Sequence, residues 1–286
     1  MNIERKESAI AHKIDPESLL ALPRTSGVYI FKGEGKLPLY IGKSVDIRAR
    51  VMSHLRAPDE ARMIAQTRRI DFIETAGELG ALLLESRLIK ELSPLFNIRL
   101  RRSRGLCTWQ LQDSPQGCLP RVVSGRSVQL GQEPHLYGLF ASTHAAQACL
   151  RELAQQHRLC LGLLGLEKIA HRGCFAWQLK TCFGVCVGQE PRREHDARLL
   201  AALQALQVHV WPHPGAIELV EERDGWQQRH KVLNWRHLGT WCSRENAYTE
   251  CRAEHFDLDS YKILLKPVMQ KLGSDPNSDR RFTFSH

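Results

Sequence analysis

Between Glu78 and Leu92 the chain reads ELGALLLESRLIKEL, a leucine-rich run with helical periodicity that Pro94 stops. At about 100° per residue, Glu85 falls between Ala81 and Leu92 on one side and Ile89 and Leu82 on the other, while Arg87, Lys90 and Glu91 take the opposite, polar face. A carboxylate on the apolar side of a helix costs on the order of several kcal/mol in lost hydration unless a cation or hydrogen bonds compensate. Two arrangements satisfy it: a buried ion pair with an arginine, or a bound metal. Whatever folds around this helix must bring one of them to Glu85.

The residues around the helix fit a compact α+β unit. Gly27 to Phe31 and Leu37 to Ile41 read as short strands, and Gly33, Glu34, Gly35 and Lys36 supply the turn of a β-hairpin between them. Ser44 and Asp46 can cap a helix in which Ile47, Val51 and Leu55 recur along one side. Pro58 opens a second short helix through Arg68, and Ile70 to Thr75 alternates like a third strand. Alternation points Tyr29 away from Val28 and Ile30, and Tyr40 away from Leu39 and Ile41, so both phenols can leave the aliphatic face. Two hairpin tyrosines are ordinarily cross-strand packing. On the next helix Arg50 and His54 share a face that Arg48 does not, so Arg50 is the better arginine for a site at the hairpin.

Charge adds a direction. The 286 residues carry 40 Lys+Arg against 31 Asp+Glu, a formal charge of +9. Residues 1–104 hold 19 of the basic and 13 of the acidic side chains, so the excess is concentrated in the first third and points to a polyanion there. That third ends in Arg99, Arg101, Arg102 and Arg104, a run suited to following DNA phosphates or to forming a solvated linker. No apolar run approaches the roughly 20 residues needed to span a bilayer, which excludes a membrane-spanning reading. Met1 to Lys13 mixes Glu, Arg and Lys and lacks the apolar core of a secretory signal, so a cytoplasmic location is expected.

Past the first unit, residues 103–142 read as a β-rich connector with strands at Cys107–Gln112, Arg121–Ser124 and Leu136–Phe140. Residues 143–200 read as a cysteine-rich helical region that opens with an amphipathic helix, Thr143 to Arg158, and a second helix spans Glu194 to Gln207. Residues 201–275 read as a small α+β region with strands at Ala216–Val220 and His230–Trp235 and a helix near Tyr261–Leu272, and the polar tail 276–286 is expected to fray. Cys160, Cys174, Cys182 and Cys186 stand at C-x13-C-x7-C-x3-C. Four thiolates so grouped can form a tetrahedral zinc site or hold an iron–sulfur cluster, and the spacing differs from paired C-x2-C knuckles. The cysteines at 107, 118, 149, 242 and 251 show no ligand pattern and are read as packing residues, and Trp211, Trp226, Trp235 and Trp241 as core or interface.

Gly27-Val28-Tyr29, Tyr40-Ile41-Gly42-Lys43, Arg50, Glu85 within Ala81 to Lys90, and Asn97 in Pro94-Leu95-Phe96-Asn97 follow the order and spacing of the GIY-YIG nucleases. Residues 20–102 resemble most closely the N-terminal half of the bacterial excinuclease subunit UvrC. The resemblance implies that Glu85 holds a single Mg2+ or Mn2+, that Tyr29 activates or positions the attacking water, and that Tyr40, Lys43 and Arg50 order and neutralise the scissile phosphate. It implies that Asn97 ties the end of the domain to the site by hydrogen bonds. His54 stands where many UvrC relatives carry a tyrosine, which leaves it a phosphate contact or simply a preserved polar position. One carboxylate in register suits one metal rather than two. A phenol is only about a thousandth ionised at pH 7, so Tyr29 as a base needs help, from Lys43, Arg50 or the metal.

The cysteine region, down to Cys182-Phe183-Gly184-Val185-Cys186-Val187, is similar to the region that follows the nuclease domain in UvrC. That similarity implies a [4Fe-4S] cluster, structural or coupled to DNA binding, with Zn2+ as the alternative. The chain is about half the length of full-length UvrC and shows no helix-hairpin-helix repeats, so it resembles a short stand-alone homologue of that subunit. The implied function is a metal-dependent DNA endonuclease of nucleotide excision repair in the bacterial cytoplasm, at the nucleoid. It would cut the damaged strand of double-stranded DNA 3′ of the lesion, in a complex with UvrB loaded by UvrA. The competing readings are an independent GIY-YIG nuclease of restriction or mobile-element type, and a non-catalytic DNA-binding scaffold.

Overall fold

The computed structural model describes residues 12–98, 105–114, 117–251 and 255–273, so Arg99, Arg101, Arg102, Arg104 and the 276–286 tail lie outside the described residues. The chain divides into two compact units, residues 1–103 together with 213–286, and residues 104–212.

The first unit begins with α1 (Pro16–Leu20), β1 (Gly27–Lys32), β2 (Pro38–Ser44), α2 (Ile47–His54), α3 (Ala61–Gln66), β3 (Arg69–Glu74) and α4 (Glu78–Leu92). Its antiparallel sheet has the order β2-β1-β3, which leaves one side of β2 as an open edge. Alternation separates the phenols from Val28, Ile30 and Ile41 as the sequence indicates, but Leu39, expected on that aliphatic face, lies at a register shift between Phe31 and Lys32 and packs on the phenol side, and both faces are covered. Val28, Ile30 and Ile41 pack under Leu84, Leu88 and Ile89 of α4. Tyr29, Phe31 and Leu39 pack under Ile47, Val51, Leu55, Met63 and Ile64. A phenol that leaves the aliphatic face therefore enters a second core.

Four local readings change. The second strand does not stop at Ile41; it continues to Ser44 because Val28 pairs with Lys43 and Gly27 with Ser44. Asp46 alone caps α2, accepting the Ala49 amide at 2.8 Å, while the Ser44 hydroxyl braces the turn by accepting the Asp46 amide at 3.0 Å. The helix expected from Pro58 to Arg68 is broken: Pro58–Glu60 is a tight 3-10 turn, and Glu60 (φ −98°, ψ 2°) leaves helical geometry before α3 starts. On α4 the expected apolar position Leu92 is 43% exposed, because the helix ends there in a left-handed Ser93 (φ 47°).

The second unit holds β4 (Cys107–Ser114), β5 (Gly117–Ser124), β6 (Leu136–Phe140), α5 (Thr143–Gln156), α6 (Phe175–Gln178) and α7 (Arg192–Gln204). The sheet order is β5-β4-β6. Trp109, Leu150, Ala154, Leu159, Leu199 and Leu203 join the sheet, α5 and α7 in one core, and α7 runs unbroken past residue 200. Strand β5 begins at Gly117, earlier than Arg121, because β4 pairs along its whole length; Pro120, which lacks an amide proton, sits on this edge strand.

The remainder of the first unit comprises β7 (Ile217–Arg223), β8 (Trp226–Leu233), β9 (Arg236–Cys242), β10 (Ala247–Glu250) and α8 (Leu258–Gly273), with sheet order β10-β9-β8-β7. The strand expected over His230–Trp235 ends at Leu233, where a hairpin turn begins, since Asn234 (φ 48°) and Trp235 (φ 61°) both take left-handed angles. This sheet docks on α4. The Glu221 carboxylate accepts the amides of Leu79 and Gly80 at 2.8 and 2.7 Å, capping a helix start that has no side-chain cap of its own. A Cβ at Gly77 would lie 2.2 Å from Glu221, so the glycine admits the cap. The polar face of α4 is also engaged: Lys90 pairs with Asp257 at 2.5 Å and Asp259 at 3.6 Å, and Arg87 reaches the Cys251 sulfur at 3.6 Å.

Burial disfavours the charge on Glu221, but His230 and the Gly80 and Leu79 amides outweigh it and hold the carboxyl below its ordinary value. Its contribution to stability is therefore present above the unfolded-state pKa and is lost as pH falls through the lower, folded value. Glu221→Ala is expected to lower stability in urea at neutral pH by about 2 kcal/mol, because two helix amides lose a charged acceptor. The loss should shrink in acid, and an equal effect at every pH would contradict the capping role.

Candidate active site and metal centre

The open edge of β2 organises one half of the site. The Leu39 carbonyl faces outward and accepts the Phe96 amide at 2.8 Å, and two residues on, both backbone groups of Ile41 face the same way. The Asn97 side chain takes them as a strand would, its Oδ1 accepting the Ile41 amide and its Nδ2 donating to the Ile41 carbonyl, each at 2.9 Å. One step further the Lys43 amide meets the Glu85 carboxylate. Burial pushes the Glu85 carboxyl above its ordinary value, partly offset by the charge and amide of Lys43. The Lys43 ammonium itself is turned to Glu78 at 2.5 Å, and no ion pair to Glu85 forms among the described residues. The arginine pair that would make Glu85 structural is thus not formed, and a half-buried carboxylate with free lone pairs is a donor that suits a hard divalent cation.

The other half lies on the α2 side of the sheet. The Tyr29 Oη is 2.7 Å from His54 Nε2, and His54 Nδ1 meets the Glu60 carboxylate. The Arg50 guanidinium reaches the same phenol, and the Tyr40 ring lies 6.3 Å from that of Tyr29 and 5.5 Å from that of His54. Arg50 is exposed and Tyr40 half-buried, whereas Tyr29 and His54 are 1% and 2% exposed, so the site is layered inward from the cation. Burial, reinforced by Tyr40, pushes the Tyr29 phenol well above its ordinary value. Burial also lowers His54, against the pull of Glu60, which leaves a neutral imidazole beside a neutral phenol at pH 7.

Gly42 makes this packing possible. It pairs with Tyr29 across the hairpin, and a Cβ there would lie 2.3 Å from the Tyr29 Oη. Gly42→Ala is expected to lower stability by about 1–3 kcal/mol through this overlap and to displace the phenol. Urea unfolding and cleavage rate should fall together, and a variant with wild-type cleavage would show that the phenol can move without consequence.

The second unit carries the cysteine centre. The sulfurs of Cys160 and Cys174 are 3.6 Å apart, those of Cys174 and Cys182 3.7 Å apart, and all three are buried within 4.8 Å of one another. The Cys186 sulfur accepts the Cys174 amide at 3.4 Å. All four thiols are free, and burial pushes Cys160 upward and Cys182 up to about 11, so these two would hold their protons unless a cation displaced them. Four converging thiols fit a soft metal or an iron–sulfur cluster. His195, fully buried, accepts the Cys160 amide at Nε2 (3.2 Å) and so braces the first of them.

Three family descriptions match the chain in sequence: the UvrC-like GIY-YIG domain over residues 25–98, the UvrC/Cho excinuclease middle domain over 106–205, and the excinuclease Cho C-terminal domain over 216–278. Excinuclease cho of Salmonella typhi is 54% identical over 250 residues, 86% of this chain and 84% of that protein. The chain belongs to the Cho branch of the UvrC family. Excinuclease cho of Escherichia coli (strain K12) is 49% identical over 267 residues, 91% of this chain and 89% of that protein. Among solved structures, the GIY-YIG N-terminal endonuclease domain of UvrC from Thermotoga maritima, bound to magnesium as its catalytic divalent cation, is 34% identical. It covers 28% of this chain and 92% of that one, with a TM-score of 0.26. This Cho-family chain is accordingly a DNA endonuclease, a phosphodiester hydrolase of nucleotide excision repair.

The fold gathers Tyr29, Tyr40, Arg50 and His54 around one phenol and sets Lys43, Glu85 and Asn97 along the β2 edge. It adds residues that sequence reading passes over. Glu60 stands against His54, Glu78 holds Lys43, and His195 supports Cys160. Of these only Glu78, in the first turn of the Glu85 helix, sits where a helix-start signal could have drawn notice.

Proposed function

We propose that this Cho-family nuclease incises the damaged strand of double-stranded DNA on the 3′ side of a lesion, acting in the cytoplasm on a complex in which UvrA has loaded UvrB. The observation that carries a hydrolytic site is the unpaired, half-buried Glu85 carboxylate at the β2 edge, electrostatically coupled to the phenols of Tyr29 and Tyr40. Glu85 would hold one Mg2+ or Mn2+, which when bound supplies Lewis-acid stabilisation of charge on the leaving oxygen. Arg50, the outermost cation of the phenol cluster, donates to a phosphate oxygen, and Tyr40 and Lys43 share the rest of its charge. Tyr29 orients the attacking water and receives its proton. Asn97 fixes the strand from which Tyr40 and Lys43 project. The basic run Arg99 to Arg104 tracks the adjoining phosphates, and Cys160, Cys174, Cys182 and Cys186 would hold a [4Fe-4S] cluster.

The test is incision of a duplex bearing one defined lesion. A single nick 3′ of the lesion, formed only when UvrA and UvrB are present, is the expected result. Cutting that needs neither protein nor lesion would favour an independent nuclease instead, and binding without cutting a scaffold. Iron and sulfide in anaerobically prepared protein support the cluster, whereas stoichiometric zinc in a colourless preparation would replace it.

A further inference from the structure

We propose that Glu60 is a positioning residue for hydrolysis: its carboxylate holds His54 in the tautomer that accepts the phenolic proton of Tyr29. The inference rests on the reading of Tyr29 as the residue that faces the attacking water.

His54 is the last residue of α2, and its ring is boxed by Tyr29, Phe31 and Tyr40 at centroid distances of 5.4, 5.5 and 5.5 Å. The titratable and charged groups around it are Tyr29, Tyr40, Arg50, Asp59 and Glu60. A carboxylate can only accept, so a neutral ring whose Nδ1 touches Glu60 must carry its one proton on Nδ1. Nε2 then offers a lone pair, and the hydrogen in the 2.7 Å contact to Tyr29 belongs to the phenol. The Tyr29 oxygen accepts in turn from Arg50, and Tyr40 lies within hydrogen-bonding reach of it. Phosphate oxygens that draw Arg50 and Tyr40 away free a lone pair on Tyr29 for water.

The chain of contacts answers a difficulty in the chemistry. Burial makes the Tyr29 phenol a poor acid, so a standing phenolate is not available at neutral pH. A relay removes the need for one. As water's oxygen bonds to phosphorus and the bond from phosphorus to the leaving sugar oxygen breaks, water's proton passes to Tyr29 Oη and the phenol's own proton passes to His54 Nε2. The phenol is regenerated and the positive charge rests on an imidazolium beside the Glu60 carboxylate. Solvent protonates the leaving alkoxide, and the imidazolium returns its proton to solvent. The break between the Pro58–Glu60 turn and α3 is what brings Glu60 back against the last turn of α2.

Glu60→Gln in the full chain keeps an oxygen that can accept from Nδ1 but removes the charge. Single-turnover nicking of the lesion duplex with UvrA, UvrB and Mg2+ is expected to fall about 10- to 100-fold, with DNA affinity and thermal midpoint unchanged. The acid limb of the rate profile is expected to move to lower pH. The working form has neutral His54, so rate is lost as pH falls through the His54 pKa. Glu60 raises that pKa, and removing its charge lowers it. Glu60→Asp should restore most of the rate, and nitrogen NMR of the unsubstituted chain should show the Nδ1–H tautomer of His54. An unshifted acid limb with wild-type rate, or an Nε2–H tautomer, overturns the relay. If Glu60→Gln does not fold, the tautomer measurement still decides. An inactive unsubstituted chain, or an active Glu85→Ala variant, defeats the hydrolytic site itself; an active chain with inactive Glu85→Ala and wild-type Glu60→Gln defeats the relay alone.

Discussion

Glu85→Ala is expected to reduce strand cleavage at least about 1000-fold, because in the function proposed above this carboxylate would anchor the ion that offsets charge on the leaving oxygen. DNA affinity, measured by fluorescence anisotropy, should stay within about threefold, since phosphate contacts come from cations rather than from this acid. Stability should not fall. The folded chain already pushes the Glu85 carboxyl above its ordinary value, so its ionised form is disfavoured on folding. A group raised in this way stabilises only at low pH, and that contribution is lost as pH rises through its folded value. The alanine variant should therefore equal or exceed the parent in urea at neutral pH without metal, by up to about 1 kcal/mol. Loss of function with gain of stability is the signature of a residue kept for chemistry. Substantial residual cleavage by the purified variant would remove Glu85 as metal ligand, and a large loss of stability would make it structural after all.

The parts of this site that were legible in sequence are those set by short periods. Alternation places Tyr29 and Tyr40 on one face of the hairpin, a four-residue step places Arg50 beside His54, and the helical wheel singles out Glu85. Glu60 was not legible, since its contact with His54 crosses a break between two helical segments and follows no repeat. Neither was the docking of the C-terminal sheet. The Glu221 cap joins residues 142 positions apart, and Lys90 on the polar face of α4 is held by Asp257 and Asp259. The same limit explains the strand misread at His230–Trp235. A tryptophan does not signal a left-handed turn, and Trp235 adopts one while its ring packs on Tyr261 at 5.1 Å.

Cys174→Ser is expected to empty the cysteine centre and to unfold the segment around it. Cys174 is fully buried and central: its sulfur lies 3.6 Å from Cys160 and 3.7 Å from Cys182, and it accepts the Trp177 amide at 3.3 Å to start α6. From Cys160 to Cys186 the backbone has little to sustain it besides that four-residue helix, an isolated bridge between Ala170 and Gly173, and turns. In the function proposed above, a site built from such a segment would draw its order from the ligated ion, and structural metal sites contribute about 10–16 kcal/mol where they nucleate small folds. The serine variant should lose metal to below about one tenth of the parent content and become open to limited proteolysis between residues 160 and 187. Cys149→Ser, half-buried on α5 and apart from the cluster, should change neither reading. The GIY-YIG core, built from residues of the other unit, should keep its own unfolding transition. Cys174→Ser protein with full metal content and an intact segment would show that the four thiols pack as ordinary core, since a ligand set cannot lose its central member and still hold the ion.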